Sequence, residues 1–383
     1  MEKTYRFRLY PKQEQVNILE RTLTLCRRLY NNGLEQRIQA YKTRCPTNYY
    51  QQKRGLVKLK KELPEYSEIY SHTLQDVVNR LDKAYKSFFR RIKKGETAGF
   101  PRFKSANRFH SITFDRYGFR ILPNGHLKLT KIGNIRMFKH REIDGTPKTC
   151  TVKHDGVGDW WATISVSLPD VPKQEPKTMV GVDVGLKNIV TLSTGEMIEP
   201  PKFLKQSEDK IKHLQRQVSR KKRGGSNRRK HIIRLAKAHR RVERQRNDFL
   251  HKLSRNLSQK ADIVVFENLN IQNMMKNHCL AKSIGDASWG KLMQYTTYKA
   301  EEAGRSVRFV NPNGTSQICS RCGEMVHKPL SERFHTCTKC GFSADRDCNA
   351  SLNILKRVGT GSSKPIKTPV EILPLPFPSG DGK

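Results

Sequence analysis

The sequence predicts a multidomain α/β protein, and three observations support this fold class. The chain has 383 residues, enough for two or three domains. Its first half contains short alternating segments typical of strands, interrupted by two long segments with helical periodicity. Its second half alternates short apolar strands with helices. We therefore expect an N-terminal β-barrel that carries a helical insertion, followed by an α/β domain.

The N-terminal region begins with a predicted strand. Residues 4–10 alternate apolar and polar side chains until Pro11 ends the pattern. Apolar residues then recur every three or four positions over 12–42 and again over 71–94, which predicts two long helices. The polar and aromatic stretch 46–54 fits either a loop that stacks on bases or a simple capped connection.

Residues 108–168 have the pattern of several short strands. Turns are expected at 123–125 and 156–158, where glycines interrupt the alternation. These strands predict a small barrel into which the first strand of the chain could pair. The helices of residues 12–98 would then be inserted between strands of one domain. The proline-bounded segment 169–176 is interpreted as a linker.

The charge balance narrows the class of partner. There are 74 Lys and Arg residues against 35 Asp and Glu, a net charge of +39, and the isoelectric point is about 10.1. Such an excess predicts a polyanionic partner. No segment nears the roughly 18 continuous apolar residues of a membrane span, and the start does not resemble a signal peptide. We expect a cytoplasmic, nucleoid-associated protein that binds nucleic acid and no membrane.

Two basic segments are candidates for nucleic-acid contacts. On the second long helix, amides one turn apart could read base edges, and neighbouring cations could contact phosphates. A solvated helix face is the alternative there. Residues 220–230 hold seven basic residues in eleven and form the expected tip of a helical hairpin over 203–258; a nuclear-localisation signal is the alternative. The candidates are Gln75, Asn79, Arg80, Lys83, Arg220, Lys221, Lys222 and Arg223.

Three acidic residues stand at predicted element ends in the second half. Asp183 lies in an apolar strand of the segment 179–193, where a carboxylate is costly to bury without a cation or polar partner. Glu267 ends the short strand 263–266, and Asp347 opens a helix. A strand-end aspartate and a helix N-cap are the ordinary alternatives. Together, three acids around one sheet are what a divalent-cation phosphodiesterase needs, with two Mg²⁺ ions about 4 Å apart.

Four cysteines form two CxxC pairs separated by 14 residues: Cys319, Cys322, Cys337 and Cys340. This spacing predicts a zinc ribbon in which four thiolates make a closed, structural site for one Zn²⁺. His327 and His335 lie in the loop and could substitute as ligands. A helix over 287–303 and a strand over 307–310 are expected before the ribbon.

At this point the sequence resembles the TnpB-type transposon-encoded nucleases, relatives of the compact type V CRISPR effectors. The motifs that carry the likeness are Gly181-Val-Asp183-Val-Gly185, Phe266-Glu267-Asn-Leu269, Thr315-Ser-Gln-Ile-Cys319-Ser-Arg-Cys322-Gly323, Cys337-Thr-Lys-Cys340-Gly341, Asp345-Arg-Asp347-Cys-Asn349-Ala350 and, less specifically, Phe7-Arg-Leu-Tyr-Pro11 and Gly99-Phe-Pro-Arg-Phe103. The resemblance implies an RNase H-like (RuvC) nuclease domain with a zinc-ribbon insertion.

The resemblance also implies an activity. It would be an RNA-guided DNA endonuclease that uses Asp183, Glu267 and Asp347, binds a guide RNA from the transposon end, and recognises a short motif beside its target in duplex DNA. Asp347 is preferred over Asp345 because the family places the ligand two residues before the asparagine, here Asn349. The alternatives are an RNA-guided repressor that does not cut and a protein-only transposase or resolvase.

The predicted elements and the resemblance together give the expected domain organisation. The tail, rich in Pro, Gly and Ser, is expected to be disordered. The expected boundaries are 1–11 for the first barrel strand, 12–98 for the helical insertion, 99–170 for the rest of the barrel, 171–316 and 343–358 for the two parts of the nuclease, 317–342 for the zinc ribbon and 359–383 for the tail.

Overall fold

A computed structural model describes residues 1–172, 175–329 and 332–358. The chain divides into two compact units, the first spanning Met1–Asp170 and the second beginning at Val171. The expected disordered tail lies outside the described residues, so that expectation stays a prediction. Among the described residues, none of the helices combines the length and the apolar character that a membrane span requires.

The first unit contains seven strands and three α-helices in its described residues. The predicted helices over 12–42 and 71–94 are confirmed within a residue at each end. The strands are β1 (Glu2–Tyr10), β2 (Ser111–Asp115), β3 (Phe119–Ile121), β4 (His126–Leu129), β5 (Gly133–Phe138), β6 (Thr146–His154) and β7 (Trp160–Ser167), and the helices are α1 (Gln13–Lys42), α2 (Tyr49–Glu62) and α3 (Ser71–Lys93).

All seven strands belong to one antiparallel sheet with the order β2-β6-β7-β1-β5-β4-β3. The first strand pairs with β7 on one side and with β5 on the other, as the sequence predicted. The two edge strands, β2 and β3, are joined by the short turn at 116–118, so the sheet is nearly closed. Alternate residues of β1, among them Tyr5, Phe7 and Leu9, are buried in its core together with Cys26 of α1.

The interpretation of residues 46–54 was incomplete, because a helix begins there. Asn48 caps α2 by accepting a hydrogen bond from the backbone N–H of Gln51, whose side chain bonds back to Asn48. This reciprocal cap offsets the weak apolar pattern of the helix, in which Leu56 is the buried side chain. Exposed Tyr50 is therefore a helix residue and not part of a loop.

The second unit is built around a five-stranded mixed sheet with the order β10-β9-β8-β11-β12. The predicted strand pair at 179–192, the long helical hairpin and the helix over 287–303 are confirmed; short helices at 271–274 and 281–287 were not predicted. The strands are β8 (Met179–Asp183), β9 (Val190–Leu192), β10 (Met197–Ile198), β11 (Ile263–Glu267), β12 (Ser306–Val310), β13 (Phe334–Thr336) and β14 (Ser343–Asp345). The helices are α4 (Phe203–Gln206), α5 (Glu208–Ser219), α6 (Ser226–Lys260), α7 (Ile271–Met274), α8 (Ala281–Ala287), α9 (Trp289–Glu302) and α10 (Arg346–Lys356).

The centre of this sheet positions the acidic residues. Strand β11 lies between β8 and β12 and runs parallel to both, whereas β9 runs antiparallel to β8. Every residue of β11 is buried, as expected for a central parallel strand covered on both faces. The carboxyl ends of β8 and β11 therefore meet at one edge of the sheet.

Candidate active site and metal centre

Two of the predicted acids end neighbouring strands. Asp183 is the last residue of β8 and Glu267 the last residue of β11. Because Val182 pairs with Phe266 in parallel register, the two carboxylates follow each other at the same level of the sheet. Glu267 is buried and Asp183 is partly exposed. In open α/β sheets this edge is where ligands bind.

The third acid is brought to the same edge by helix α10. Asp345 caps this helix by accepting a hydrogen bond of 2.8 Å from the backbone N–H of Asp347. The helix lies directly on β8, because a Cβ placed on Gly181 would stand 2.2 Å from the carbonyl oxygen of Ser351. At Gly185, just after Asp183, a Cβ would stand 3.9 Å from Oδ2 of Asp347. Glycine at 181 therefore permits the approach that brings Asp347 beside the strand ends.

The electrostatics of the three acids are coupled. Burial raises the pKa of Asp183 well above its usual range, and the negative charges of Glu267 and Asp347 raise it further. Burial also raises the pKa of Glu267, against the opposing effects of the Thr315 hydroxyl and the Arg357 charge. The fold thus assembles acids that disfavour their own ionisation, a pattern common at functional sites.

The described geometry limits how metal could bind here. The carboxylate oxygens of the three acids do not all lie within 4.8 Å of one another. Among the described residues, the group of potential metal ligands that meets this spacing is the four cysteines. Two oxygens bound to one Mg²⁺ at about 2.1 Å lie no more than about 4.2 Å apart. All three carboxylates therefore cannot contact a single ion without side-chain movement. The chemistry of the donors and the raised pKa of Asp183 fit divalent cations shared among the acids.

A hydrogen-bond network that the sequence did not predict supports the site. Thr315 donates its hydroxyl to Oε1 of Glu267, and the carbonyl of Thr315 accepts a hydrogen bond of 2.8 Å from Nδ2 of Asn353 on α10. Glu267 and the helix that carries Asp347 are therefore linked through one residue. Thr315 belongs to a motif noted in the sequence, but nothing there indicated its hydrogen bonds, and no sequence pattern singled out Asn353.

The four cysteine sulfurs form the predicted cluster. Their Sγ atoms lie within 4.8 Å of one another, with 3.6 Å between Cys319 and Cys340 and 3.5 Å between Cys322 and Cys337. Thiolates around one zinc ion at about 2.3 Å are about 3.8 Å apart in a tetrahedron, so the geometry fits such an ion. His335 is buried outside this group, and Lys328 lies 3.0 Å from its Nδ1.

The cysteine cluster is tied to helix α10. The side chain of Asn349 donates to the carbonyl of Ile318 at 2.8 Å and accepts from the backbone N–H of Ser320 at 2.9 Å. Asn353 donates to the same carbonyl at 2.6 Å. These bonds hold the residues on both sides of Cys319, so the first CxxC turn and the helix that bears Asp347 form one structure.

The predicted nucleic-acid contacts of α3 have different environments. Arg80 pairs with Asp76 at 2.6 Å and donates to Ser111 and Thr113 of strand β2, so its guanidinium fastens α3 to the sheet. Gln75 and Asn79 are partly exposed, and Lys83 is exposed. Contact of these residues with nucleic acid stays a prediction.

The four side chains predicted to contact nucleic acid at the basic tip of the helical hairpin are exposed. These side chains form no ion pair with any residue that the structure describes; they are Arg220, Lys221, Lys222 and Arg223. The second part of the tip is helical, since α6 begins at Ser226. Fold and site together define a class of strongly basic proteins. Their α/β unit carries an acidic centre (Asp183, Glu267 and Asp347) and a cysteine centre (the four clustered cysteines).

Comparisons with known proteins agree with this class. Family models match residues 163–278 (a probable transposase of the OrfB-IS605 type), 289–354 (a Cas12f1-like TNB domain) and 1–45 (a helix-turn-helix domain). A Streptomyces pristinaespiralis relative named "Putative RNA-guided DNA endonuclease" is 35% identical over 364 residues, 93% of this chain and 89% of the relative. The chain belongs to the TnpB-type family, which is related to the type V CRISPR effectors. This confirms the resemblance noted in the sequence.

Two further likenesses are more distant. A TnpB-like protein of Acanthamoeba polyphaga mimivirus is 24% identical over 386 residues, covering 92% of this chain and 72% of the relative. The solved structure of the mini-RNA-guided endonuclease CRISPR-Cas phi3 aligns with a TM-score of 0.47 and 12% identity, covering 95% of this chain and 94% of that one.

Proposed function

We propose that the protein is an RNA-guided DNA endonuclease that cleaves duplex DNA by metal-dependent phosphodiester hydrolysis. The main support is the placement of Asp183, Glu267 and Asp347 at one sheet edge, where the parallel register of β8 and β11 and the packing of α10 bring them together. The name of the Streptomyces relative, which matches nearly the whole chain, supports the same activity. In this proposal the guide RNA comes from the transposon end, and the protein reads a short target-adjacent motif.

Asp183, Glu267 and Asp347 are the catalytic residues in this proposal and would hold two Mg²⁺ ions. When bound, the ions supply a nucleophile from water at neutral pH and stabilise the leaving oxygen. The protein's part is to fix the carboxylates. Thr315 orients Glu267 through its hydroxyl, and Asp345 fixes the first turn of α10.

The four cysteines would hold one structural Zn²⁺, since four thiolates leave no open position for substrate. In this proposal the ribbon at 317–342 is an insertion in an RNase H-like nuclease formed by 171–316 and 343–358. The helical insertion at 12–98 and the barrel strands at 1–11 and 99–170 would grip the guide RNA and the motif-bearing DNA. Their contacts include Gln75, Asn79, Arg80 and Lys83, with the exposed tip at 220–223 adding phosphate contacts.

The test is cleavage of duplex DNA by the full chain purified with its RNA, in the presence of Mg²⁺. Asp183→Ala should remove cleavage and leave guide RNA bound, whereas Asp209→Ala, a loss of an exposed acid on α5, should cut normally. Sequencing of the bound RNA identifies the target to supply.

Equal cleavage by Asp183→Ala and the parent would contradict the proposal. Target binding without nicking in any divalent metal would identify a repressor instead. Cleavage that survives RNase treatment before the assay would identify a protein-only transposase or resolvase.

A further inference from the structure

Helix α10 brings a cation into the acidic centre, and the proposed function gives this cation no role. Arg346 is the first residue of α10 and stands between Asp345 and Asp347 in the chain. Its side chain is 16% exposed, and that of Asp347 is 11% exposed. Because a guanidinium keeps its proton at every physiological pH, its positive charge is permanent. Any divalent ion that binds to Asp347 must share the site with this charge.

The two oxygens of the Asp347 carboxylate have different surroundings. Nε of Arg346 lies 3.4 Å from Oδ1 and forms an ion pair with it. Oδ2 faces the turn after β8, because a Cβ placed on Gly185 would stand 3.9 Å from it. Asp183 ends β8 two residues before this glycine. Arg346 therefore contacts one oxygen of Asp347 and leaves the other oxygen toward the end of β8.

The ion pair is held in place by neighbouring backbone groups. The backbone N–H of Arg346 donates to the carbonyl of Arg333 at 2.7 Å, and its Nη1 donates to the carbonyl of Glu332 at 3.4 Å. The backbone N–H of Asp347 donates to the side chain of Asp345 at 2.8 Å. The planar guanidinium thus joins the segment before β13 to the carboxylate of Asp347, which restricts rotation of that carboxylate.

The charge of Arg346 also acts beyond its ion pair. It lowers the pKa of Asp183, against burial and the negative charges of Glu267 and Asp347, which raise that pKa. Arg346 therefore compensates part of the repulsion among the three acids. Loss of this charge alone would strengthen the binding of all divalent cations alike, since they carry the same charge. A change in the preference for one divalent cation over another requires a change in the ligand atoms.

We propose that Arg346 is a positioning residue that makes Asp347 a metal ligand through one oxygen. It retains Oδ1 and leaves Oδ2 for the ion, and it thereby favours Mg²⁺ over Ca²⁺. Mg²⁺ demands octahedral geometry and keeps several waters, whereas the larger Ca²⁺ takes about six to eight oxygens and accepts both oxygens of one carboxylate. The inference rests on the proposed function for the identity of the site, which is the centre formed by the three acids.

The first test measures metal binding without cleavage. The zinc-loaded full-length protein is freed of RNA, because RNA itself attracts cations. Tb³⁺ is the probe, and Trp289 can sensitise its luminescence because the indole N–H donates to the carbonyl of Gly185 at 3.2 Å, next to the acids. Mg²⁺ and Ca²⁺ are then titrated as competitors, and the ratio of the two competing concentrations is the readout. Asp183→Asn should reduce the signal.

Arg346→Gln should shift this ratio about tenfold toward Ca²⁺, because Oδ1 becomes available as a second ligand atom. Arg333→Gln is the matched control, because Arg333 is exposed and bonds to Arg346 through its backbone carbonyl, which the change keeps. The control removes one positive charge nearby and should leave the ratio unchanged. A ratio in Arg346→Gln equal to that in Arg333→Gln would overturn the inference.

Arg346→Lys separates the charge from the position of the guanidinium. Lysine keeps a positive charge and a long apolar stem, so this variant also serves if Arg346→Gln does not fold. One ammonium group does not reproduce the fixed fork of a guanidinium. The ratio for Arg346→Lys should therefore also shift toward Ca²⁺. A return to the parent ratio would assign the preference to charge alone and overturn the positioning role.

Cleavage assays separate this inference from the proposed function. In the presence of Mg²⁺, added Ca²⁺ should inhibit Arg346→Gln at about a tenfold lower concentration than it inhibits the parent. If the parent cuts its target but Arg346→Gln leaves the ratio unchanged, the inference fails and the proposed function stands. A terbium signal that Asp183→Asn does not reduce would overturn the inference, and if the parent also cuts in no divalent metal, the proposed function fails with it.

Discussion

The carboxylate of Asp183 lies where ionisation is unfavourable. Burial and the charges of Glu267 and Asp347 raise its pKa, and Arg346 and the backbone N–H of Val184 oppose that rise. An acid that is poorly solvated and close to other negative charges costs stability unless it is compensated. The repulsion persists because the whole sheet edge holds these residues together, and a bound cation would relieve it.

Asp183→Asn should therefore stabilise the protein while removing cleavage. The change keeps the shape of the side chain and removes one of the repelling charges, so we expect a gain of about 0.5–2 kcal/mol in the free energy of unfolding without added divalent cation. Thermal denaturation of the zinc-loaded protein measures this. A lower melting temperature for Asp183→Asn would contradict the electrostatic account.

The same reasoning fixes the sign of the pH dependence. Because folding raises the pKa of Asp183, this group favours the folded state at pH values below its usual titration range of about 4. That contribution is lost as the pH rises through the raised pKa. The difference in melting temperature between Asp183→Asn and the parent should therefore grow from pH 5 to pH 8, and a constant difference would exclude Asp183 as its source.

The sequence predicted the acids at the strand ends, but it did not predict the residues that hold them in place by hydrogen bonds. Asp183 and Glu267 each follow a short apolar run, and this local pattern predicted that they end strands. Thr315 and Asn353 have ordinary sequence surroundings, and their hydrogen bonds join segments far apart in the chain. Such contacts depend on tertiary packing, which periodicity does not report.

At the level of elements, the closest packing in the site is that of α10 on β8 at Gly181. A methyl group there would meet the carbonyl of Ser351 at 2.2 Å and the backbone nitrogen of Leu355 at 2.9 Å. Backbone atoms cannot turn aside as flexible side chains can, so the helix would have to shift.

Gly181→Ala should destabilise the protein by about 1–3 kcal/mol, the usual cost of overpacking, and reduce cleavage by displacing Asp347. Chemical denaturation and the cleavage assay measure the two effects. Gly55→Ala is the control, because Gly55 lies within α2 and an added Cβ would meet no atom within 4 Å. The free energy of unfolding of this variant should rise by up to about 1 kcal/mol. Unchanged stability of Gly181→Ala would mean that the helix is not packed as described.

The cysteine centre and the acidic centre are mechanically joined through Asn349 and Asn353. Cys337→Ser, or removal of the proposed zinc ion, should therefore loosen α10 and reduce cutting by about tenfold or more, while guide binding changes little. Hydrogen exchange of α10 reports the loosening independently of activity. Cys45→Ser removes an exposed thiol of the first unit and should change neither. If the amides of α10 lost their protection from exchange while the variant cut DNA normally, the coupling between the cysteine cluster and the acids would be refuted.

Helices with strong apolar periodicity were predicted well, whereas helix α2, whose apolar pattern is weak, was missed. Helices α1 and α3 carry long apolar stripes, so their limits agree with the sequence within a residue. Helix α2 depends on the reciprocal bonds of Asn48 and Gln51, which a scan for apolar spacing passes over. The contacts of Arg80 were equally hidden, because its partners Ser111 and Thr113 lie on a strand beyond the helix.

At the scale of the whole molecule, the net charge of +39 dominates association. Each phosphate contact releases counterions, and six to ten contacts would reduce affinity about 10³- to 10⁵-fold between 50 and 200 mM salt. Fluorescence anisotropy with labelled RNA should show at least a thousandfold loss over that range. A nearly flat dependence would mean that few of the 74 cationic side chains touch the strand.

The order of the acids along the chain has a consequence for synthesis. Strands β8 and β11 leave the ribosome well before α10, which brings Asp347 and the bonds to Ile318 and Ser320. If the three acids act together as proposed, a nascent chain could capture its RNA before it can harm DNA. Until α10 has been made, the nascent chain lacks Asp347 and the proposed centre of three acids is incomplete.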